Sequence, residues 1–385
     1  MPSFPQTAAS IAGIESSVYS SLAHRVATHR GEVFPLHVGD TWLEPAVGCR
    51  MQDLTVEEHP GMHRYGPPQG LPRLLDAVVE RLRARTQVPT ERANVLVTAG
   101  ATGALGAVMG ALLDPGDEVL VLAPYWPLIT GIVRCHGGRP VIVPFLGVAD
   151  SPETAVELVR KHRGPRTVAL YLSTPNNPTG IVLPRSWVEA LATWAAREHL
   201  WIVTDEVYED YVFRGDHTYV RALVPEGTLS AHSFSKAFGM AGNRCGYVVG
   251  PEQVIRDLSK VATHSFYSTP TASQLAACRA LDGRGDAWVR QVRPQYTEAG
   301  DQAAATLGVD APGGSTFLFV DVARALGPRG LAGFLEDCAD RGLFLAPGPS
   351  FGPYPSHVRI CFTSAPPDAV RRGVACLREL LDARR

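Results

Sequence analysis

One lysine in this chain keeps unusual company. It closes Ser233-Phe234-Ser235-Lys236, and Arg244 follows within Gly239-Met-Ala-Gly-Asn-Arg-Cys-Gly246. A hydroxyl and a planar, permanently charged guanidinium suit a phosphate group. A lysine withdrawn from water beside that charge loses its proton readily and becomes a nucleophile toward a carbonyl carbon. Most lysines are only solvated surface charges, so the reading depends on the rest of the set.

Four more segments carry suitable groups. Val97-Thr-Ala-Gly100-Ala101-Thr102-Gly103 turns from an apolar run into a helical pattern. Such a turn offers backbone amides and a helix N-terminus to a phosphate, although Gly100, Gly103 and Gly106 also fit a dinucleotide fingerprint. Trp126, in Pro124-Tyr-Trp-Pro127, has a face that can stack on a pyridine ring or fill core equally well. Thr174-Pro-Asn-Asn177-Pro-Thr-Gly180 holds Asn177 where its amide can meet a ring hydroxyl, in a composition that also makes an ordinary turn. Leu200-Trp-Ile-Val-Thr-Asp205-Glu-Val-Tyr208 places an acid at the end of an apolar run, and a buried carboxylate needs a partner. A protonated pyridine nitrogen would be that partner, and Tyr208, read as one helical turn further on, would reach the same ring. Lysine, aldehyde, phosphate and pyridine together point to pyridoxal phosphate.

The elements that position these residues are legible in the hydrophobic pattern. Short apolar runs at 95–98, 118–122, 140–143, 167–172, 200–204, 228–231 and 246–250 read as strands buried on both faces of a mainly parallel sheet. Amphipathic stretches such as Trp187-Val-Glu-Ala-Leu-Ala-Thr-Trp-Ala-Ala-Arg197 alternate with them. This predicts an α/β domain whose ligands sit where strands end. After about residue 280 come a long helix at 287–307, strands at 315–321 and 357–363, a helix at 331–341, a loop at 346–355 and a terminal helix. These predict a smaller α+β domain. The expected division is 1–45 as an N-terminal arm with part of the small domain, 46–285 as the large domain and 286–385 as the small one. Within the arm, Ile11, Ile14, Val18, Leu22 and Val26 have helical spacing.

Composition narrows the function. A net charge of −2 over 385 residues argues against nucleic acid or anionic membrane partners. Seven cysteines without a C-x-x-C pair argue against a disulfide framework or zinc site and for a reducing, cytoplasmic setting. The first residues lack the basic and apolar regions of a signal peptide. The uncharged run 95–113 is long enough for a membrane span, but its glycines divide it into strand, turn and helix. Glu57, Glu58, His59 and His63 are not expected to bind metal, since Pro60 and Gly61 break any helix aligning them.

The motifs Asn177-Pro-Thr-Gly180, Asp205-Glu-Val-Tyr208 and Ser233-Phe-Ser-Lys236 with Arg244 resemble those of class I/II aminotransferases, in the fold-type I pyridoxal phosphate family. The resemblance runs from Gly39 to Arg359. It implies a large domain with a seven-stranded sheet flanked by helices. It also implies Lys236 as the Schiff-base lysine and proton carrier, and Asp205 on the pyridine nitrogen. Asn177 and Tyr208 would bind the ring oxygen and Trp126 the ring face, with Gly100, Ala101, Thr102, Ser233 and Arg244 on the phosphate. Tyr65 would reach the phosphate of a neighbouring subunit, implying a homodimer with shared sites. Arg359 would grip the substrate carboxylate and Gly39 would border the substrate.

Aspartate-preferring members of that branch often have lysine where Thr102 stands. The expected substrate is therefore a neutral, aromatic or cationic L-amino acid, paired with a 2-oxo acid. Trp42, Tyr125, Phe317 and Phe351 suit an apolar side-chain pocket, whereas Asp40 and Glu44 suit a cationic side chain. The Asp40–Glu44 segment departs from the family's glycine-x-proline-aspartate pattern, which keeps open β-replacement, elimination, cyclisation or oxidative deamination on the same cofactor. A dinucleotide oxidoreductase is disfavoured because no acid or arginine follows the strand at 118–122. A pyridoxal-phosphate-sensing regulator is disfavoured by the near-neutral charge.

Overall fold

The apolar runs assemble as the pattern predicts. In a computed structural model, which describes residues 3–8, 10–14 and 20–383, the first seven strands are β1 (Val95–Thr98), β2 (Glu118–Ala123), β3 (Arg139–Pro144) and β4 (Thr167–Ser173), then β5 (Trp201–Asp205), β6 (Thr228–Ser233) and β7 (Gly246–Val249). They form one sheet in the order β1-β7-β6-β5-β4-β2-β3. All run parallel except β7, which is antiparallel to both β1 and β6.

The helices are α1 (Ser20–Thr28), α2 (Pro72–Thr86), α3 (Gly100–Leu112), α4 (Leu128–Cys135), α5 (Pro152–His162) and α6 (Arg185–Arg197). They continue with α7 (Phe234–Ala237), α8 (Glu252–Ser265), α9 (Thr271–Arg279), α10 (Gly285–Leu307), α11 (Gly330–Asp340) and α12 (Pro367–Asp382). Alternation along each strand divides the core. Val119, Val121 and Ala123 pack with α3, α4 and α8 on one face. Leu120 and Leu122 pack with α5 and α6 on the other. Both faces are covered, which is why the strands read as continuous apolar runs.

A second sheet, β8 (Phe317–Asp321), β9 (Ala346–Pro347) and β10 (His357–Cys361), is antiparallel in the order β8-β10-β9. It packs with α10, α11 and α12. The short strand β9 lies inside the expected loop 346–355; it pairs through only Ala346 and Pro347, too little to leave a periodic signal. Phe34 and Leu36 join the same core, and their backbones bond to Gly342, Phe344 and Cys361. This return brings the segment 37–40 against β10.

The N-terminal arm differs from expectation. The chain is helical at Ser20–Thr28, but Ile11 lies in a turn; Val18 and the side chain of Leu22 lie outside the described residues. Ile11 is exposed, and a short helix without a buried face is marginal in water. No helix among the described residues is long and apolar enough to cross a membrane.

Candidate active site

The direction of β7 brings together the residues expected to hold a phosphate. Register pairs Gly246 with both Thr98 of β1 and Ser233 of β6. The turn into α3, the Ser233–Lys236 segment and Arg244 therefore meet at one point. Gly100 has φ +71°, and a Cβ there would lie 2.6 Å from Arg244 Nη2, so only glycine allows this approach. Arg244 donates to the carbonyls of Ala241, at 2.9 Å, and Ala99, at 3.4 Å. Ser233 accepts from the amide of Ser235 at 3.0 Å, opening the short helix that carries Lys236.

A cleft lies along these strand ends, where open α/β sheets bind their ligands. Ala101, Thr102, Trp126, Asn177, Asp205, Tyr208, Ser233, Lys236 and Arg244 line it. The sequence pattern missed Leu105, Val207, Ser235 and Ala241, which also line it and carry no signal beyond adjacency to the motifs.

Lys236 is half-buried and donates through Nζ to the carbonyl of Gly39. Burial lowers its pKa; Arg359 and Arg244 lower it further, while Asp40 and Cys361 oppose them. Desolvation disfavours the ammonium form of this lysine. Asp205 is buried at the end of β5. Burial pushes its carboxyl up to about 6, against hydrogen bonds from Tyr171 and the Val207 amide. Tyr208 is buried, packs edge-on to Phe317 and follows Asp205 through turns rather than a helix. The backbone leaves the strand too sharply for the expected helical turn: Glu209 and Tyr211 bond three residues back, to Glu206 and Tyr208.

Two neighbouring asparagines divide their work. Asn176 ties the turn together, accepting from the amide and hydroxyl of Thr179 and donating to Pro124. Asn177 is left to face the cleft, where its Oδ1 accepts from Arg359 Nη1 at 2.9 Å. Arg359 is buried between the rings of Phe317, at 4.3 Å, and Phe351, at 4.8 Å. Its Nη2 donates to the carbonyl of His37 at 2.7 Å. Burial, reinforced by Arg359, lowers the His37 imidazole to about 4. A Cβ on Gly39 would stand 2.9 Å from Phe317, so glycine lets the 37–40 segment approach this wall. Trp42 packs on Tyr296 at 5.5 Å and joins the core beneath α2 and α10. Tyr65 is 90% exposed and packs edge-on to Tyr267; neither Trp42 nor Tyr65 lines the cleft of its own chain.

These residues fit pyridoxal phosphate on two counts. The hydrogen-bond donors to the buried Asp205 carboxylate, a phenol and an amide, are neutral, so a cationic ring nitrogen matches its need for compensation. The N-terminus of α3 beside Arg244 and Ser233 matches a phosphate dianion.

A mainly parallel seven-stranded sheet with this lysine, aspartate and arginine at its strand ends defines a fold-type I pyridoxal phosphate enzyme. The profile of aminotransferase class I and II matches residues 34–377, and the chain belongs to that family. It is 35% identical over 315 residues to the aspartate/prephenate aminotransferase of Thermus thermophilus, covering 79% of this chain and 80% of that one. It is 33% identical over 372 residues to the arginine–pyruvate transaminase of Pseudomonas aeruginosa, covering 91% of each. The structure of aspartate aminotransferase from Thermus thermophilus with maleate superposes with a TM-score of 0.88 at 29% identity, covering 97% of this chain and 99% of that one. The protein is a pyridoxal-phosphate-dependent aminotransferase.

Proposed function

We propose that this enzyme moves the α-amino group of a neutral, aromatic or cationic L-amino acid to a 2-oxo acid, and that it works in the cytoplasm as a homodimer. The observation that supports this reading is the charge inventory of the cleft. Its cationic lining residues are Lys236 and Arg244, with Arg359 behind Asn177. Each has a role in the reading: Lys236 in bond making, Arg244 at the phosphate and Arg359 at the substrate α-carboxylate. Thr102, which also lines the cleft, is neutral, so among the described lining residues no further cation is left for a second substrate carboxylate. The relatives named for aspartate/prephenate and for arginine–pyruvate span both side-chain charges, so family membership leaves this choice to the cleft itself.

In this reading Lys236 attaches the cofactor through Nζ. Asp205 holds a proton on the ring nitrogen, Asn177 and Tyr208 bind the ring oxygen, and Trp126 covers the ring face. Gly100, Ala101, Thr102, Ser233 and Arg244 hold the phosphate, together with Tyr65 of the second subunit. When bound, the cofactor supplies an electron sink for the substrate's Cα. Arg359 orients the α-carboxylate through its planar fork, Gly39 borders the substrate side, and Lys236 Nζ, released from the cofactor when the substrate's amino group takes its place, takes the proton from Cα as a general base. Tyr65 and Tyr267, exposed aromatic side chains packed on one another, support burial of this patch in a dimer.

The test is the visible spectrum of purified enzyme against a panel of amino acids. Bleaching by neutral, aromatic or basic amino acids, with recovery on adding a 2-oxo acid, is the expected result. Fast bleaching by aspartate and glutamate alone overturns the substrate class. Sedimentation would report a monomer if the shared-site dimer is wrong.

A further inference from the structure

Tyr171 lies on β4, in the middle of an apolar cluster that includes Val121, Val203 and Ala231. Its side chain is fully buried. In the parallel register Tyr171 stands opposite Val203, and Ser173 opposite Asp205. Alternate residues of a strand share a face, so Tyr171 and Asp205 point to the same side of the sheet, one diagonal step apart. The phenol spans that step, and its hydroxyl donates to Asp205 Oδ2 at 3.0 Å. A phenylalanine would fill the same space in this cluster without burying a polar atom. A hydroxyl among aliphatic side chains is unfavourable unless bonded, and its one hydrogen goes to the carboxylate. The second hydrogen bond to that carboxylate, from the Val207 amide to Oδ1, is longer at 3.4 Å.

We propose that Tyr171 is a positioning residue, whose hydroxyl sets the orientation and charge of Asp205 and thereby the protonation of the cofactor's ring nitrogen. This rests on the role given above to Asp205. The other ionisable groups facing that carboxylate are Glu206, next in the chain, and His232, on β6, with Tyr208 beyond the turn. Glu206 bonds to Thr204 and His217, and His232 to Glu209, so both are engaged elsewhere. Burial and the neighbouring Asp205 push the Tyr171 phenol well above its ordinary range, which keeps it a donor at any working pH. A hydrogen bond to the ionised form favours that form. Without it Asp205 becomes the stronger base and draws the ring proton toward itself.

The experiment reconstitutes wild type, Tyr171→Phe, Asp205→Asn and the double variant with pyridoxal phosphate labelled with nitrogen-15 in the ring. The ring nitrogen's chemical shift and the cofactor dissociation constant are measured for each. Tyr171→Phe should move the shift toward that of neutral pyridine and weaken cofactor binding by about tenfold or more. The kcat should fall while KM for the amino acid stays within about twofold, since Arg359 is untouched. In the Asp205→Asn background, Tyr171→Phe should add nothing. An equal loss of affinity in both backgrounds, or a shift that moves with Asp205→Asn but not with Tyr171→Phe, overturns the role of Tyr171 alone. A shift unmoved by Asp205→Asn overturns the role of Asp205 as well. If Tyr171→Phe does not fold, 3-fluorotyrosine at 171, a stronger donor, must move the shift in the opposite direction, and no movement overturns the proposal.

Discussion

Arg359 and Asn177 are joined by a 2.9 Å hydrogen bond from Nη1 to Oδ1, although 182 residues separate them in the chain. The bond links β10 of the small sheet to the turn after β4 of the large one. It connects the proposed anchor of the substrate carboxylate to a proposed contact of the cofactor ring. Replacing Arg359 by Lys keeps a charge but loses the planar fork. A charge-assisted hydrogen bond contributes about 1.5–3 kcal/mol, so KM for the amino acid should rise about tenfold or more with a smaller change in cofactor affinity. Asn177→Ala should weaken both. Steady-state kinetics with a cofactor titration on each variant checks the difference, and equal effects from the two substitutions would contradict the assignment.

Lys236 has a lowered pKa, chiefly through burial. Borohydride reduction of the holoenzyme should leave the cofactor's mass on the peptide containing residue 236. Lys236→Arg should lose this label and also lose roughly a hundredfold to ten-thousandfold of turnover, because a guanidinium does not deprotonate in working conditions. Mass spectrometry of the reduced digest reads the first outcome directly.

Asp205 makes the apoenzyme pH-sensitive. Burial raises its pKa from 3.8 to about 6 in the folded chain, so folding disfavours the ionised form. Below about pH 4 the group is protonated in both folded and unfolded chains and makes no difference. The destabilisation grows as pH rises through this interval and is complete above about pH 6, at roughly 3 kcal/mol. Apo Asp205→Asn should therefore melt higher than apo wild type at pH 8, and the difference should vanish toward pH 4. Pyridoxal phosphate should remove the wild type's disadvantage at pH 8. Thermal denaturation across this range, with and without cofactor, tests the sign.

Gly100 is a close approach at the proposed phosphate end, at φ +71° and against Arg244. Gly100→Ala places a side chain in the left-handed region, at about 1–2 kcal/mol, and pushes Arg244 away. The dissociation constant for pyridoxal phosphate should rise at least tenfold, whereas that for pyridoxal, which lacks the phosphate, should change little. Titrating both compounds into the apo variant separates a phosphate effect from general damage.

Much of this was visible in the sequence for a local reason. A strand buried on both faces must be a short apolar run, and each of the seven runs became a strand. Polar residues at or just past the ends of such runs come to line the cleft, so Asn177, Asp205 and Lys236 could be picked out by type and place. Tyr171 could not, because a tyrosine within an apolar run looks like core until its hydroxyl is seen to reach Asp205. Trp42 had the composition of a pocket residue, yet its ring packs on Tyr296, a partner distant in the chain.

The amino-acid order by itself determined the elements and the chemical types at their ends, because periodicity, turn residues and burial act over a few neighbours. Only the tertiary structure decided which ends meet. The antiparallel placement of β7 brings Arg244 to Gly100. The return of residues 34–36 to the small sheet sets Gly39 under Lys236 and beside Arg359. Those contacts arise from strand order and packing between segments far apart in the chain, which no local pattern encodes.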